Sequence, residues 1–184
     1  MTTRPAAGTL GARDTADSHR CRREYTDPRG STIGRVDLEH EFTYEAELGE
    51  TLVVGAGPYG TRMVIPVAGG WARGDRISGQ LTGGGGDWAL IGSDGWARLD
   101  VRGQITTGDG AVLYLTYGGV MQLNEKVMAA IGSTEETSFD DQYFRTAPRL
   151  ETGDERYAWV NQTVFVARGR ISPKGVEYEV FRVG

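Results

Sequence analysis

The chain is poor in the residues that build disulfides and soft-metal sites. It has one cysteine, Cys21, and two histidines, of which only His40 lies beyond residue 35. A single cysteine excludes an internal disulfide and gives no sign of an oxidising compartment. Zinc and copper favour thiolate and imidazole ligands, so no metal or other cofactor is expected. Long apolar runs are also missing: no stretch approaches the ~18 residues of a membrane-spanning helix, and the N-terminal arginines lack the apolar core of a signal peptide. The expected setting is the cytoplasm, with no membrane as partner. Helical periodicity is scarce and there is no βαβ rhythm, which argues against an α/β fold.

Charge is divided unevenly. Residues 1–35 carry seven Lys and Arg against four Asp and Glu, whereas the remainder carries thirteen against twenty-one. An acidic body with scattered cations is a poor phosphate-binding surface, so nucleic acid is not expected as a partner. The Arg20, Arg22, Arg23 cluster reads as a solvated part of a tail. Residues 1–35 hold few large apolar side chains and show no periodicity, so they are expected to form a disordered extension before a single domain over 36–184.

What the chain does have is glycine, 28 residues of it, together with short clusters of Thr, Val, Tyr and Trp. That composition suits many short strands joined by tight turns. The clearest strand alternates Leu38, His40, Phe42, Tyr44, Ala46 and Leu48 with Glu39, Glu41, Thr43, Glu45 and Glu47, placing aromatics inward and carboxylates outward. Near the C-terminus Val176, Tyr178 and Val180 alternate with Glu177 and Glu179. Further strands are predicted over 51–56, 61–71, 75–82, 96–106, 111–121, 143–150 and 157–171, with turns at Asp94-Gly95 and Asp109-Gly110. One short helix follows Asn124 as its cap, burying Val127, Met128 and Ile131 and ending at Gly132. The fold class is all-β: a small antiparallel β-barrel of roughly eight to ten strands with one short helix, a sandwich fitting the alternation nearly as well.

Candidate site residues fall into three groups. Gly83–Gly86, followed by Asp87 and Trp88, is either a bulged strand end or a place where a ligand approaches bare backbone. No lysine and following helix accompany it, so it does not read as a phosphate loop. The second group is Tyr143, Arg145, Glu151, Trp159 and Asn161, the last two sharing a strand face with Tyr157, Thr163 and Phe165 if 157–171 is extended. A face both aromatic and polar suits the lumen of a ligand barrel or an ordinary core. The third is His40 with Tyr44 on the inward face of the first strand. Separately, Arg98, Asp100, Arg102 and Gln104 share one strand face, directed to solvent or lining the cavity.

The motifs GQLTGGGGDW (residues 79–88), DGWARLDVRG (94–103), YFRTAPRLETG (143–153) and YAWVN (157–161) resemble, as an ordered set, the domain of unknown function 3237 family, also called UPF0311. The resemblance runs from about residue 36 to the C-terminus. It implies a small antiparallel barrel and hints at natural-product or aromatic-compound chemistry, since ring closure by alkene hydroalkoxylation has been ascribed to one branch.

These observations lead to two functional expectations. One is a cofactor-independent enzyme acting on a hydrophobic or aromatic small molecule by acid–base chemistry such as cyclisation, isomerisation or hydroxyl addition. Asp87 and Glu151 would transfer protons, and Trp88, Tyr143, Arg145, Trp159, Asn161, His40 and Tyr44 would bind the substrate. The other is a barrel that holds a small ligand without changing it, since a cavity alone does not specify chemistry. A filled core with no cavity is a third outcome. The oligomeric state is left open, a homo-oligomer included.

Overall fold

The computed structural model describes residues 36–184. The expected disordered extension, with Cys21 and the Arg20, Arg22, Arg23 cluster, lies outside the described residues. Strong alternation in the sequence becomes strand: β1 (Leu38–Leu48), β2 (Leu52–Gly57), β3 (Gly60–Gly74), β4 (Gly79–Leu81), β5 (Gly85–Asp87), β6 (Leu90–Ile91), β7 (Trp96–Thr107), β8 (Val112–Gln122), β9 (Phe144–Glu151), β10 (Phe165–Ser172) and β11 (Gly175–Val183). One α-helix, α1 (Glu125–Ala130), follows β8, and a 3-10 helix (Glu155–Gln162) follows β9.

Neighbouring strands pair in the order β1-β11-β10-β9-β8-β7-β4-β3, and the β1–β3 pairing closes the ring. The short strands β4, β5 and β6 succeed one another between β3 and β7, so they act as one interrupted strand. The result is a closed, antiparallel, eight-stranded barrel, with β2 added as a hairpin partner of β3. Closure removes the exposed edges that an open sheet of this length would present.

The four glycines before Asp87 are explained by this interruption. A Cβ on Gly85 would lie 2.2 Å from the Arg102 carbonyl oxygen, and one on Gly86 would lie 3.1 Å from that of Ile65. Gly84 has φ +107°, a left-handed value that side chains disfavour. The run lets β5 wedge between two longer strands, and the close approach at Gly85 and Gly86 is to protein backbone.

Three local expectations are corrected. In β1 the pairing with β11 shifts between His40 and Phe42, with a bulge at Glu41. The bulge interrupts the alternation: Leu38, Glu39 and His40 are all exposed, while Glu41 is buried, its carboxylate paired with the Arg76 guanidinium. The segment expected as strand over 157–171 is a 3-10 helix up to Gln162, capped by the Asp154 carboxylate on the Arg156 amide, and only Phe165–Ser172 is extended. In α1 the Asn124 cap is present, bonding the Val127 amide at 3.0 Å, but the buried pair is Val127 and Ala130. Met128 and Ile131 are exposed because six residues span under two turns and present only a narrow buried face.

The barrel interior has two unlike halves. At one end Phe42, Ile77, Ile105, Leu113, Leu115, Leu150 and Phe165 pack at no more than 2% exposure. The 3-10 helix covers this end, with Val160 buried and Trp159 set edge-on to Phe165. At the other end, where β1 finishes, the β10–β11 hairpin turns and α1 ends, the interior is hollow.

Candidate functional site

The hollow half encloses a cavity of about 390 Å³, within the range of small-ligand pockets. Its wall is mainly apolar, with Ala46, Leu48, Ile65, Val67, Leu99, Val101, Met121, Phe144, Ile171 and Val176. Polar groups are few: Asp87, Tyr117 and Tyr178, then Thr51, Ser133, Ser172 and Lys174 from the loops and strand ends around the opening. Lys174 is ion-paired with Glu47 at 2.9 Å.

Strand register places Asp87 on this wall. Asp87 is paired with Ile65 of β3 on one side and Val101 of β7 on the other, and Val101 is paired in turn with Tyr117 of β8. Directly opposed residues share a face, so Asp87, Val101 and Tyr117 form a row across three strands. One carboxylate oxygen, Oδ1, accepts the Asp100 amide at 2.9 Å, completing the backbone hydrogen bonding where β5 ends. Burial pushes the Asp87 carboxyl up to about 6; the Asp100 amide and the Arg62 charge oppose this rise, while the Asp100 carboxylate adds to it.

Three tyrosines separate the cavity from the filled half. Tyr44 of β1 stacks on Tyr178 of β11 at 4.8 Å between ring centroids, and Tyr117 reaches across the barrel to meet Tyr178 edge-on at 5.5 Å. Phe144 closes the layer at 5.1 Å from Tyr178. Burial raises the pKa of all three phenols, that of Tyr117 to about 12, so they remain protonated donors. Their hydroxyls act on one another, yet the fully buried Tyr44 hydroxyl has no hydrogen bond of ordinary geometry.

Of the expected site residues, the structure brings Asp87 and Tyr44 to this interior and places the others elsewhere. Trp88 follows Asp87 on the opposite face, exposed, with the Arg102 guanidinium 5.4 Å from its ring. Glu151 is exposed at the end of β9, on the face opposite buried Leu150. Tyr143 is exposed, packing edge-on against Trp96, with Arg145 over its ring at 5.0 Å. His40 is exposed by the β1 bulge and lies 3.0 Å from the Thr43 hydroxyl. Trp159 belongs to the cover of the filled end, with Arg76 stacked on it at 3.7 Å. Asn161 bonds the amide and carbonyl of Thr152, each at 2.9 Å, and so ties the 3-10 helix to β9. Asp100 and Arg102 pair at 3.0 Å on the outer face of β7, which settles that strand's polar face as solvent-directed.

Sequence reasoning did not select Tyr117 and Tyr178 as site residues. Tyr178 stands on the inward face predicted for the last strand, and Tyr117 alternates with Leu115 and Leu113 inside β8. Inward alternation was thus the available signal, but it does not distinguish a lumen-facing tyrosine from a core one. Among the described residues no three His, Cys, Asp or Glu side chains gather as a metal site, and no helix is long and apolar enough to cross a membrane.

Comparison with known proteins agrees with the architecture. A UPF0311 protein of Rhodopseudomonas palustris is 30% identical over 148 residues, covering 80% of this chain and 97% of that protein. A crystal structure of a β-barrel-like protein from Acinetobacter baumannii superposes with a TM-score of 0.72 at 26% identity, covering 83% of this chain and 99% of the other. The crystal structure of an enzyme from Penicillium herquei shares the fold at a TM-score of 0.63 and 21% identity, over 84% of this chain and 99% of that one. Residues 36–183 match the family model described as a protein of unknown function, DUF3237, and the chain belongs to that family.

Proposed function

We propose that this protein is a cofactor-independent enzyme whose cavity takes a small hydrophobic or aromatic molecule and whose Asp87 moves a proton on it. The observation that carries this reading is a single carboxyl on a mainly apolar wall, with its pKa raised to about 6. Such a group holds its proton in mildly acidic solution and exchanges it readily near neutrality, the property required of a general acid or base. Protonation of an alkene carbon by Asp87, attack of an internal hydroxyl on the resulting cation and return of the hydroxyl proton to Asp87 would close an oxygen ring. Removal of a proton from one carbon and its return to another would isomerise the molecule. In each case the product has the mass of the substrate. The Penicillium protein of the same fold is described as an enzyme, which is consistent with a barrel of this kind supporting catalysis.

A second reading, a barrel that binds its ligand without changing it, is favoured by one observation. The Asp87–Asp100 hydrogen bond gives the carboxylate a structural task in the wall. The two are separated by incubating the protein with a panel of ortho-alkenyl phenols and following conversion to isomers of unchanged mass by chromatography and NMR. The enzyme reading expects conversion that falls about 100-fold or more in Asp87→Asn. Full turnover in that variant would remove Asp87 from the reaction, and binding without conversion across the panel would favour the carrier.

A further inference from the structure

We infer that the tyrosine layer at the inner end of the cavity is a binding site for a neutral oxygen function, a hydroxyl or carbonyl, which the ligand inserts first. This deepens the reading of the cavity as a ligand site but does not depend on turnover. Tyr117 and Tyr178 both line the cavity, and their rings meet across the barrel. Asp87 stands on the same wall, one strand removed from Tyr117 on the shared row through Val101. The phenol donors of Tyr117 and Tyr178 therefore reach the inner end from opposite sides, with the Asp87 carboxyl beside them, while the surface between that end and the opening is mainly aliphatic.

One hydroxyl of the cluster is left without a partner. Each phenol brings one O–H that needs a partner once buried, and the Tyr44 hydroxyl has none of ordinary geometry. A ligand oxygen placed against Tyr117 would accept from that phenol and leave the tyrosines free to rearrange their mutual bonds. A carboxylate or phosphate is a poor occupant of the same place. The only cation lining the cavity among the described residues is Lys174, which belongs to the β10–β11 turn at the opening and is held by Glu47. An anion at the inner end would thus be desolvated beside Asp87 without a paired charge. Charge and shape select the same orientation: neutral oxygen inward, hydrocarbon body along the wall, any acidic group at the opening beside Lys174.

The test is equilibrium binding to the full chain, measured calorimetrically with naphthalene, 2-naphthol, 2-acetonaphthone and 2-naphthoate as probes. Naphthol and acetonaphthone are expected to bind about tenfold or more tightly than naphthalene, and more tightly than naphthoate. Tyr117→Phe, which keeps the ring and its packing, is expected to leave naphthalene binding unchanged and to cut that preference to about threefold or less. Tyr178→Phe serves as the second variant should Tyr117→Phe fold poorly. Equal affinity for naphthalene and the oxygenated probes, or an unchanged preference in a folded phenylalanine variant, overturns the oxygen site while leaving the cavity a ligand site. Failure of every probe to bind overturns both. The Asp87→Asn turnover assay is decided separately, so loss of the catalytic reading does not carry this one with it.

Discussion

Along β1 the two halves of the barrel can be compared within one strand. Phe42 is fully buried against apolar neighbours in the filled half, whereas Leu48, six residues later, borders the cavity. β8 repeats the contrast, from Leu113 in the packed interior to Met121 at the hollow end. Both halves have the same strand alternation and the same aliphatic character, yet one excludes ligands and the other has room for one. The difference lies in how side chains from opposite walls meet. The packed half receives additional side chains from outside the barrel wall, Ile77 from the β3–β4 connection and Val160 from the 3-10 helix. In the hollow half α1 presents a smaller pair, Val127 and Ala130. Tight packing and open volume thus lie at opposite ends of one closed sheet.

The sharpest way to break this comparison is to truncate one leucine in each half. Leu113→Ala is expected to cost about 3 kcal/mol, through lost transfer energy and a new cavity. Leu99→Ala, whose side chain already borders open space, is expected to cost about 2 kcal/mol, because less packing remains to be lost. Urea denaturation of both variants decides it, and equal losses would show the two halves to be packed alike.

Asp87 sharpens the contrast through pH. Its carboxyl is near 6 in the folded protein against an ordinary value of 3.8, so the folded state binds more protons than the unfolded state between those values. Its contribution therefore makes stability fall as pH rises from about 4 to about 6, by about 3 kcal/mol, and hold steady above that. Asp87→Asn, which retains an acceptor for the Asp100 amide, is expected to stabilise the protein by about that amount at pH 7 and to flatten this part of the pH profile. A variant no more stable than the parent at pH 7 would mean that the carboxylate is not strained in its site.

At the filled end, Arg76→Met would leave the buried Glu41 carboxylate with only Arg182, 3.7 Å away, while keeping some contact with Trp159. The expected loss is about 1–2 kcal/mol, checked by thermal unfolding. The smallest effects are expected on the outer face. Trp88→Ala, Glu151→Gln and Tyr143→Ala should each leave probe binding in the cavity within about twofold, since all three side chains lie outside the barrel wall. A larger change at Trp88 would indicate that β5 shifts, not that the indole touches the ligand.

The strands were legible in the sequence wherever alternation was unbroken. β1, β7 and β8 stand within one residue of the segments read from period-two patterning, and β11 extends three residues beyond its segment, because each has one face in the core and one in water. Asn124 announced α1 by its capping chemistry. The candidate site was legible only in part: Asp87 and Tyr44 were selected and lie in the interior, but so were His40, Trp88, Glu151 and Trp159, which do not line the cavity. Each of those four has a local cause. A one-residue bulge turned His40 outward, alternation turned Trp88 and Glu151 away from the lumen, and a 3-10 helix replaced the strand assumed for Trp159.

What the sequence by itself determined is the all-β class, most strand positions and most of the inward set of side chains, since these follow from the two-residue period and from turn chemistry between near neighbours. Closure of the barrel, the meeting of Tyr117 and Tyr178 across it, the raised Asp87 carboxyl and the hollow beside them were decided only in three dimensions. Each depends on residues far apart in the chain: β1 with β3, β5 between β3 and β7, and β8 opposite β11. Periodicity states which way a side chain points. It does not state what that side chain meets on the far wall, and in this protein that meeting separates the packed half from the cavity.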